Sequence, residues 1–285
     1  MSSPRPADEG AGPWSSSAEF LGLTATVDRL RWQVPVRRRL MSARGTLYGG
    51  AALGAAIAAL ERACDRPLVW ATAQYLSFVR SSRTGVLDVD VEVLVAGAGT
   101  TQARCTITAD GREVLMALAT LGHRDAVARG SWVVRPDVPP VTATRRQMIA
   151  GAVGTVHDLL DMRMVHGVSR RQLARGKEFS DTGGRAALWV RLPGGRRTPD
   201  GADLALVGDL VPAAFASATG QPISGFSLDN TIRVGELVPT EWVLVDIHVH
   251  SIMNGYGHGI AHLWSEDGTL LGTASQSAVV RAPGT

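Results

Sequence analysis

The chain has 285 residues, 45% of them apolar, with a formal net charge of +3; that is enough for two domains of ordinary size with a sizeable core. No uninterrupted apolar run reaches the roughly 20 residues that span a bilayer, and the arginines are spread along the chain rather than gathered in a basic stripe, so neither membrane insertion nor nucleic-acid binding is expected. The first eighteen residues are polar, rich in Ser, Pro and Gly, and lack the basic-then-apolar order of a secretory signal, which predicts a loose tail and a cytoplasmic location.

Beyond the tail, residues 20–37 read as a short helix and a strand. The run Arg37-Arg38-Arg39 is either a solvated loop or a contact for an anionic ligand such as a phosphorylated cofactor. Gly49-Gly50 opens AALGAAIAALERAC, residues 51–64, which is apolar on nearly all sides until Glu61; such a helix must be wrapped by other structure. Strand patterns follow at residues 68–79, 86–95, 101–108 and 114–121, separated by turn signals at Thr84-Gly85, Gly97–Gly99 and Asp110-Gly111. Cys64 and Cys105 fall inside a helical and a strand pattern, which suits buried free thiols in a reducing compartment better than a disulfide or a metal site.

Residues 125–145, with Gly130, Pro136, Pro139 and Pro140, read as a linker. The pattern then restarts: a lead-in helix over 146–161, a strand over 186–192, a polar loop over 194–201 and a second apolar helix over 204–218. Strands follow at 225–234, 242–251, 257–265 and 270–281. The predicted organisation is a disordered tail over 1–18, one unit over 19–124, a linker over 125–145 and a second unit over 146–285. Short turns join the later strands, which favours antiparallel pairing over a parallel α/β sheet.

The two units read as copies. TADGREVLMALATLGHR (108–124) and SEDGTLLGTASQSAVVR (265–281) align without a gap, and the buried strand position of Ala119 is Gln276 in the second copy. A polar side chain on a buried strand needs a partner or a task. In the second apolar helix, residues 204–218, the one ionisable group is Asp209, which either caps the body of that helix ahead of Pro212 or serves chemistry. In the next strand, GFSLDNTIRV, period-two alternation puts Ser227 and Asp229 on one face. Laying ATAQYLSFVR on FSLDNTIRV sets Thr72 against Ser227, so one polar site in the second unit and one degenerate site in the first are expected.

The stretches TLYGGAALGAAIAAL, FSLDNTIRV and GTLLGTASQSAVVR resemble the helix start, the Ser/Thr-x-Asp strand and the Gln-bearing last strand of the acyl-CoA thioesterase II-type (TesB-like) double-hotdog family. The likeness runs over residues 19–281. It implies an α+β tandem hotdog, each unit a curved antiparallel sheet wrapped around a central apolar helix. It also implies hydrolysis of acyl-CoA to free carboxylic acid and CoA, without a cofactor, by a water held by Asp209, Ser227 and Gln276. Three departures stand out: only 18 positions separate Asp209 from Ser227, fewer than usual, Asn230 replaces a histidine of the family, and the region WVLVDIHVHSIMNGYGHG with His248, His250 and His258 differs from the better-known members.

In that chemistry a buried Asp209 with a raised pKa is the base. Ser227 and Gln276 orient the water, and no triad-like histidine makes Ser227 a nucleophile. Gly49 and Gly50 would let the substrate approach a helix start whose N–H groups polarise the thioester carbonyl. The acyl chain would lie between helix and sheet, with surface arginines meeting the CoA phosphates. Asp246, His248 and His250 share a strand face but lack a clear third metal ligand, so no metal is expected; His258 reads as a turn or strand-start residue. Two alternatives are a non-catalytic acyl-CoA-binding or sensing hotdog, in which the polar trio should be lost, and a hotdog dehydratase/hydratase, which needs a histidine that neither apolar helix contains. Hotdog sheets pair edge to edge, which leaves a homo-oligomer open.

Overall fold

A single antiparallel sheet of thirteen strands curls around two apolar helices in the computed structural model, which describes residues 14–80 and 85–282. In chain order the first half contains α1 (Ser17–Leu21), β1 (Thr24–Ala25), β2 (Arg31–Pro35), α2 (Gly49–Cys64), β3 (Leu68–Tyr75), β4 (Val86–Ala96), β5 (Thr100–Ala109) and β6 (Arg112–Gly122). The second half contains α3 (Val156–Leu159), β7 (Arg163–His166), α4 (Arg170–Ala174), β8 (Arg185–Arg191), α5 (Gly201–Gly208) and α6 (Phe215–Thr219). It ends with β9 (Ser224–Ser227), β10 (Asp229–Val234), β11 (Trp242–Met253), β12 (Tyr256–Trp264) and β13 (Leu270–Arg281).

The strand order β2-β4-β5-β6-β3-β10-β13-β12-β11-β8 reads the same from either end in terms of the two units. The expected tandem hotdog is therefore one continuous sheet, joined at β3 and β10. At that seam Thr72 pairs with Thr231, their hydroxyls 2.7 Å apart, and the residues on either side pair symmetrically about them. An approximate two-fold axis passes through this pair.

α2 is buried from Gly50 through Leu60, which explains a composition with no polar face: the sheet wraps one side and α5 covers another. The helices approach closely because small residues line the contact. A Cβ on Gly54 would stand 3.2 Å from the Ala202 carbonyl oxygen, and one on Gly50 only 2.6 Å from that of Ala205.

The structure departs from the sequence reading in several places. Residues 146–161 are not a helix: Gly151 and Gly154 take φ of 76° and 70°, and only α3 is helical. The second apolar segment is broken. α5 begins at Gly201, where Asp200 accepts the Asp203 N–H and the Asp203 carboxylate accepts the Asp200 N–H, each at 2.9 Å. Asp203 is itself fully buried and answered by Arg197 at 2.5 and 2.6 Å. α5 stops after Gly208, a 3-10 turn spans Val211–Ala214, and α6 follows. The stretch Gly201–Thr219 does have the length and apolarity of a bilayer-crossing helix, but it is mostly buried inside this fold.

The tail is the third difference. Residues 1–13 lie outside the described residues, but from Trp14 the chain is built in: Phe20 and Leu21 are core residues, and Ser17 Oγ donates to Asp200 at 2.6 Å. Fourth, the linker does more than connect. Trp189 donates its indole N–H to Pro139 O at 3.0 Å, and Val138 and Val141 pack on Trp189, Trp242, Leu244 and Trp264, a small second core on the outer face of the sheet. The turn expected at Thr84-Gly85 falls partly on residues 81–84, outside the described ones. Cys105 is buried, Cys64 is partly so, and both are free.

Candidate active site

Asp209, Ser227 and Gln276 come from α5's end, β9 and β13, and their side chains meet. The break in the helix makes this possible. Asp209 is not an N-cap but sits at the C-terminal end of α5 (φ −85°, ψ 42°), where the helix leaves carbonyls without intrahelical partners. Tyr48, at the start of α2, answers them: its hydroxyl reaches Leu206 O at 3.0 Å and Asp209 O at 3.1 Å.

The Asp209 carboxylate is buried and accepts from three donors. Its Oδ2 takes the Gly50 N–H at 2.7 Å; its Oδ1 takes the Gln276 amide and, at 3.4 Å, the Ser227 hydroxyl. Burial pushes its pKa up to about 7, against the opposing pull of those hydrogen bonds. Gln276 is fully buried, and both ends of its amide are engaged: Oε1 accepts the Val211 N–H at 3.1 Å, and Nε2 donates to Asp209 and, at 3.3 Å, to Ser227. It therefore positions Asp209, Ser227 and the chain after the helix break, in place of the expected direct grip on water.

The two glycines also take a more specific role. Gly50's N–H, expected on the thioester carbonyl, is directed at Asp209. A Cβ on Gly49 would come 2.7 Å from Asp209 Oδ2 and 3.0 Å from Tyr75 Cζ, so the glycine lets the carboxylate lie against the helix start. The site is thus shared between the units: α2 and β3 of the first contribute Tyr48, Gly49, Gly50 and Tyr75 to a centre read from the sequence as belonging to the second.

Ser227 and Asp229 do not share a face. β9 pairs Ser227 with Ala278, whereas β10 pairs Thr231 with Ser275, a slip of one residue at Leu228. Ser227 therefore faces Asp209, Asn230 and Ile232 turn inward, and Asp229 instead accepts the Ser277 N–H. The same slip occurs in β3 between Leu68 and Trp70. By register Thr72 corresponds to Thr231, and the first-unit counterpart of Ser227 is Leu68, not Thr72.

Asp209 and Ser227 open onto a cavity of about 980 Å³ between the units, lined also by Tyr48, Gly49 and Tyr75. Among the described residues the buried Tyr75 hydroxyl and both amide atoms of the neighbouring Asn230 make no hydrogen bond of full geometry, although Asn230 lies near enough to pull the Tyr75 pKa down against burial. Burial and then Asp209 push the Tyr75 pKa well up, so it stays a hydrogen-bond donor. His157 is the histidine of the cavity wall; it accepts the Ala43 N–H at 3.1 Å and burial lowers its pKa to about 4. Arg44, Arg170 and Arg281 line the mouth, with Arg44 and Arg281 stacked on Phe226 at 4.7 and 5.0 Å. The basic run does not join them: Arg38 binds Val153 O and Arg39 binds Phe20 O, bracing loops. Tyr75, His157 and Arg44 carried no sequence signal, because only the seam between units brings them to Asp209's cavity.

The model of the acyl-CoA thioesterase C-terminal domain family matches residues 136–280, and that of the acyl-CoA thioesterase N-terminal domain family matches residues 37–122. Among solved structures, a candidate thioesterase from Novosphingobium aromaticivorans DSM 12444 is 30% identical, with 91% of this chain and 98% of that chain covered and a TM-score of 0.78. A hot dog fold protein of unknown function from Alicyclobacillus acidocaldarius is 18% identical (94% and 98% covered, TM-score 0.78). An acyl-CoA thioesterase II from Mycobacterium marinum is 17% identical (94% and 99% covered, TM-score 0.71). A search of curated proteins found no match.

Proposed function

We propose, for a chain that belongs to the acyl-CoA thioesterase family and is thereby a thioester hydrolase, that Asp209 activates the water that cleaves an acyl-CoA. The carrying observation is a buried carboxylate with a pKa near 7, fixed by three donors and facing a large cavity. A base poised at the working pH is half-ionised and still basic enough to take a proton. A water bound by both Asp209 and the Ser227 hydroxyl, which lie 3.4 Å apart, attacks the carbonyl carbon and passes a proton to Asp209. The tetrahedral intermediate then collapses; the C–S bond breaks and the CoA sulfur leaves with the proton held on Asp209.

The oxyanion needs a donor that is not already engaged. Gly50's N–H is taken by Asp209, and the Tyr75 hydroxyl, kept protonated by burial and with Asn230 as its weak neighbour, is the donor that would serve. Arg44, partly buried and with its pKa lowered by burial and by neighbouring Arg170, marks a positive mouth short of anions. That suits the CoA phosphates. A dehydratase would need an imidazole coupled to the acid, and His157 instead bonds the Ala43 backbone.

The test is free-thiol release from acyl-CoAs of short to long chain, and from the matching N-acetylcysteamine thioesters, by wild type, Asp209→Asn and Arg44→Ala. Turnover that collapses in Asp209→Asn, with Arg44→Ala raising KM for the CoA substrates alone, is expected. Full turnover in Asp209→Asn would remove that residue from the mechanism. Equal KM effects on both substrate series would remove Arg44 from nucleotide recognition.

A further inference from the structure

On the opposite face of the sheet from the cavity, strand pairing assembles a group of ligating side chains that the hydrolytic site does not use. β11 and β12 set Asp246 directly opposite His262, with His248 two residues along, and one ligand atom from each of the three lies within 4.8 Å of the others. The alternate residues Val245 and Ile247 are fully buried in the core, so Asp246 and His248 face outward. They continue the line of Trp242 and Leu244, at the point where the linker's cover gives way to polar residues.

The two oxygens of Asp246 are divided. Oδ2 lies 3.1 Å from His248 Nε2, and Oδ1 lies 3.5 Å from the Arg185 guanidinium. The carboxylate side chain is 3% exposed while that of His248 is 32% exposed. The acid is thus fixed and dry, the imidazoles are reachable from solvent, and the arginine occupies the oxygen turned away from the histidines. Pairing across strands supplies the third ligand absent from the linear pattern of Asp246, His248 and His250; His250 instead meets His258 edge to face, ring centroids 5.3 Å apart.

We propose that Asp246, His248 and His262 bind one divalent transition-metal ion of the Zn2+ class. Two neutral imidazoles and one carboxylate are the donor set that zinc and its first-row neighbours prefer over magnesium or calcium. Arg185 holds the carboxylate through its other oxygen, as outer partners of metal ligands do. The ion would tie β11 to β12 on the face away from the substrate, so it stabilises the C-terminal sheet and takes no part in hydrolysis.

The test is calorimetric titration of the chelator-treated full-length protein with Zn2+, together with electron paramagnetic resonance of the protein loaded with Cu2+. One site per chain is expected, weakened roughly tenfold or more in both His248→Ala and His262→Ala and unchanged in His250→Ala, with thioester turnover the same in all three. The Cu2+ spectrum should show two imidazole nitrogens. Since that spectrum needs only the wild type, it decides the question even where a variant fails to fold. A spectrum without two nitrogen donors, no stoichiometric site at micromolar Zn2+, or equal binding in wild type and both ligand variants would overturn the assignment.

Discussion

Each unit holds three corresponding positions beneath the first residue of the other unit's core helix, and the two sets are filled in opposite ways. Under the start of α2 lie Asp209, Ser227 and Gln276. Under the start of α5 lie Ile57 and Leu68, which a Cβ on Gly201 would meet at 3.0 and 2.8 Å, and Ala119 stands where the second copy has Gln276. The set under α5 is an apolar contact, so those three positions pack without a polar side chain. Its counterpart buries an acid whose pKa has risen to about 7, an arrangement that costs stability whenever the acid is ionised. The contrast supports the proposed role of the polar set, because the corresponding positions next door pack with apolar side chains alone.

The largest difference between the two sets should appear in turnover. Asp209→Asn is expected to lower kcat by about 10²–10⁴-fold with cooperative unfolding intact. Trimming its counterpart, Ile57→Val, should leave kcat unchanged and cost about 0.5–1.5 kcal/mol in denaturant unfolding. Equal kinetic losses would erase the distinction.

The glycines above the sites give a smaller contrast. In Gly50→Ala the new methyl meets the Ala205 carbonyl oxygen at 2.6 Å and Asp209 Cβ at 3.0 Å; rigid backbone cannot give way, so a loss of about 1–3 kcal/mol together with reduced turnover is expected. In Gly201→Ala the obstacles are side-chain atoms, Leu68 Cδ2 and Cβ and Ile57 Cγ2, with no backbone oxygen among them, so the stability loss should be smaller and turnover should hold. Unfolding curves and steady-state kinetics on the pair decide this.

Gln276→Ala leaves the Val211 N–H buried without its acceptor, a loss of about 1–3 kcal/mol. It also removes a hydrogen bond that lowers the Asp209 pKa. The wild-type kcat/KM should rise with pH through about 7, and in the variant that limb should move to higher pH. An unmoved limb would mean that Gln276 supports structure only.

The finest test is thermodynamic. Asp209 has a folded pKa of about 7 against an ordinary 3.8, so the folded state holds the proton more tightly. That contribution is full below the unfolded pKa and is lost as pH rises through 7. Relative to Asp209→Asn, wild-type stability should therefore fall between about pH 4 and pH 7 and then level off. Asp203 and Glu61, also raised to about 7, cancel in the difference.

Much of this was legible in the chain itself. The ungapped repeat around Asp110-Gly111 and Asp267-Gly268 pointed to two copies, and the change from Ala119 to Gln276 marked which copy carries polar groups. Local rules misled wherever a contact from elsewhere decided the conformation. Asp209 has the composition of an N-cap, yet Asp200 and Asp203 had already started that helix, and Tyr48 holds its end. Ser227 and Asp229 have the spacing of one strand face, yet the slip at Leu228 turns them apart.

Apolar periodicity, turn residues and the internal repeat determined two tandem antiparallel units with wrapped helices and marked Asp209, Ser227 and Gln276 as polar groups on apolar elements, because burial and backbone preference act over a few residues and leave a periodic record; the hotdog and the trio's role came from the family resemblance. Only the tertiary structure decided that Gly50 faces Asp209, that Tyr48 and Tyr75 stand beside it, that Arg44 lines the cavity, and that His262 joins Asp246 and His248. Those groups meet across a sheet seam or a strand pair, and such contacts are set by register and helix approach, which leave no fixed spacing along the chain.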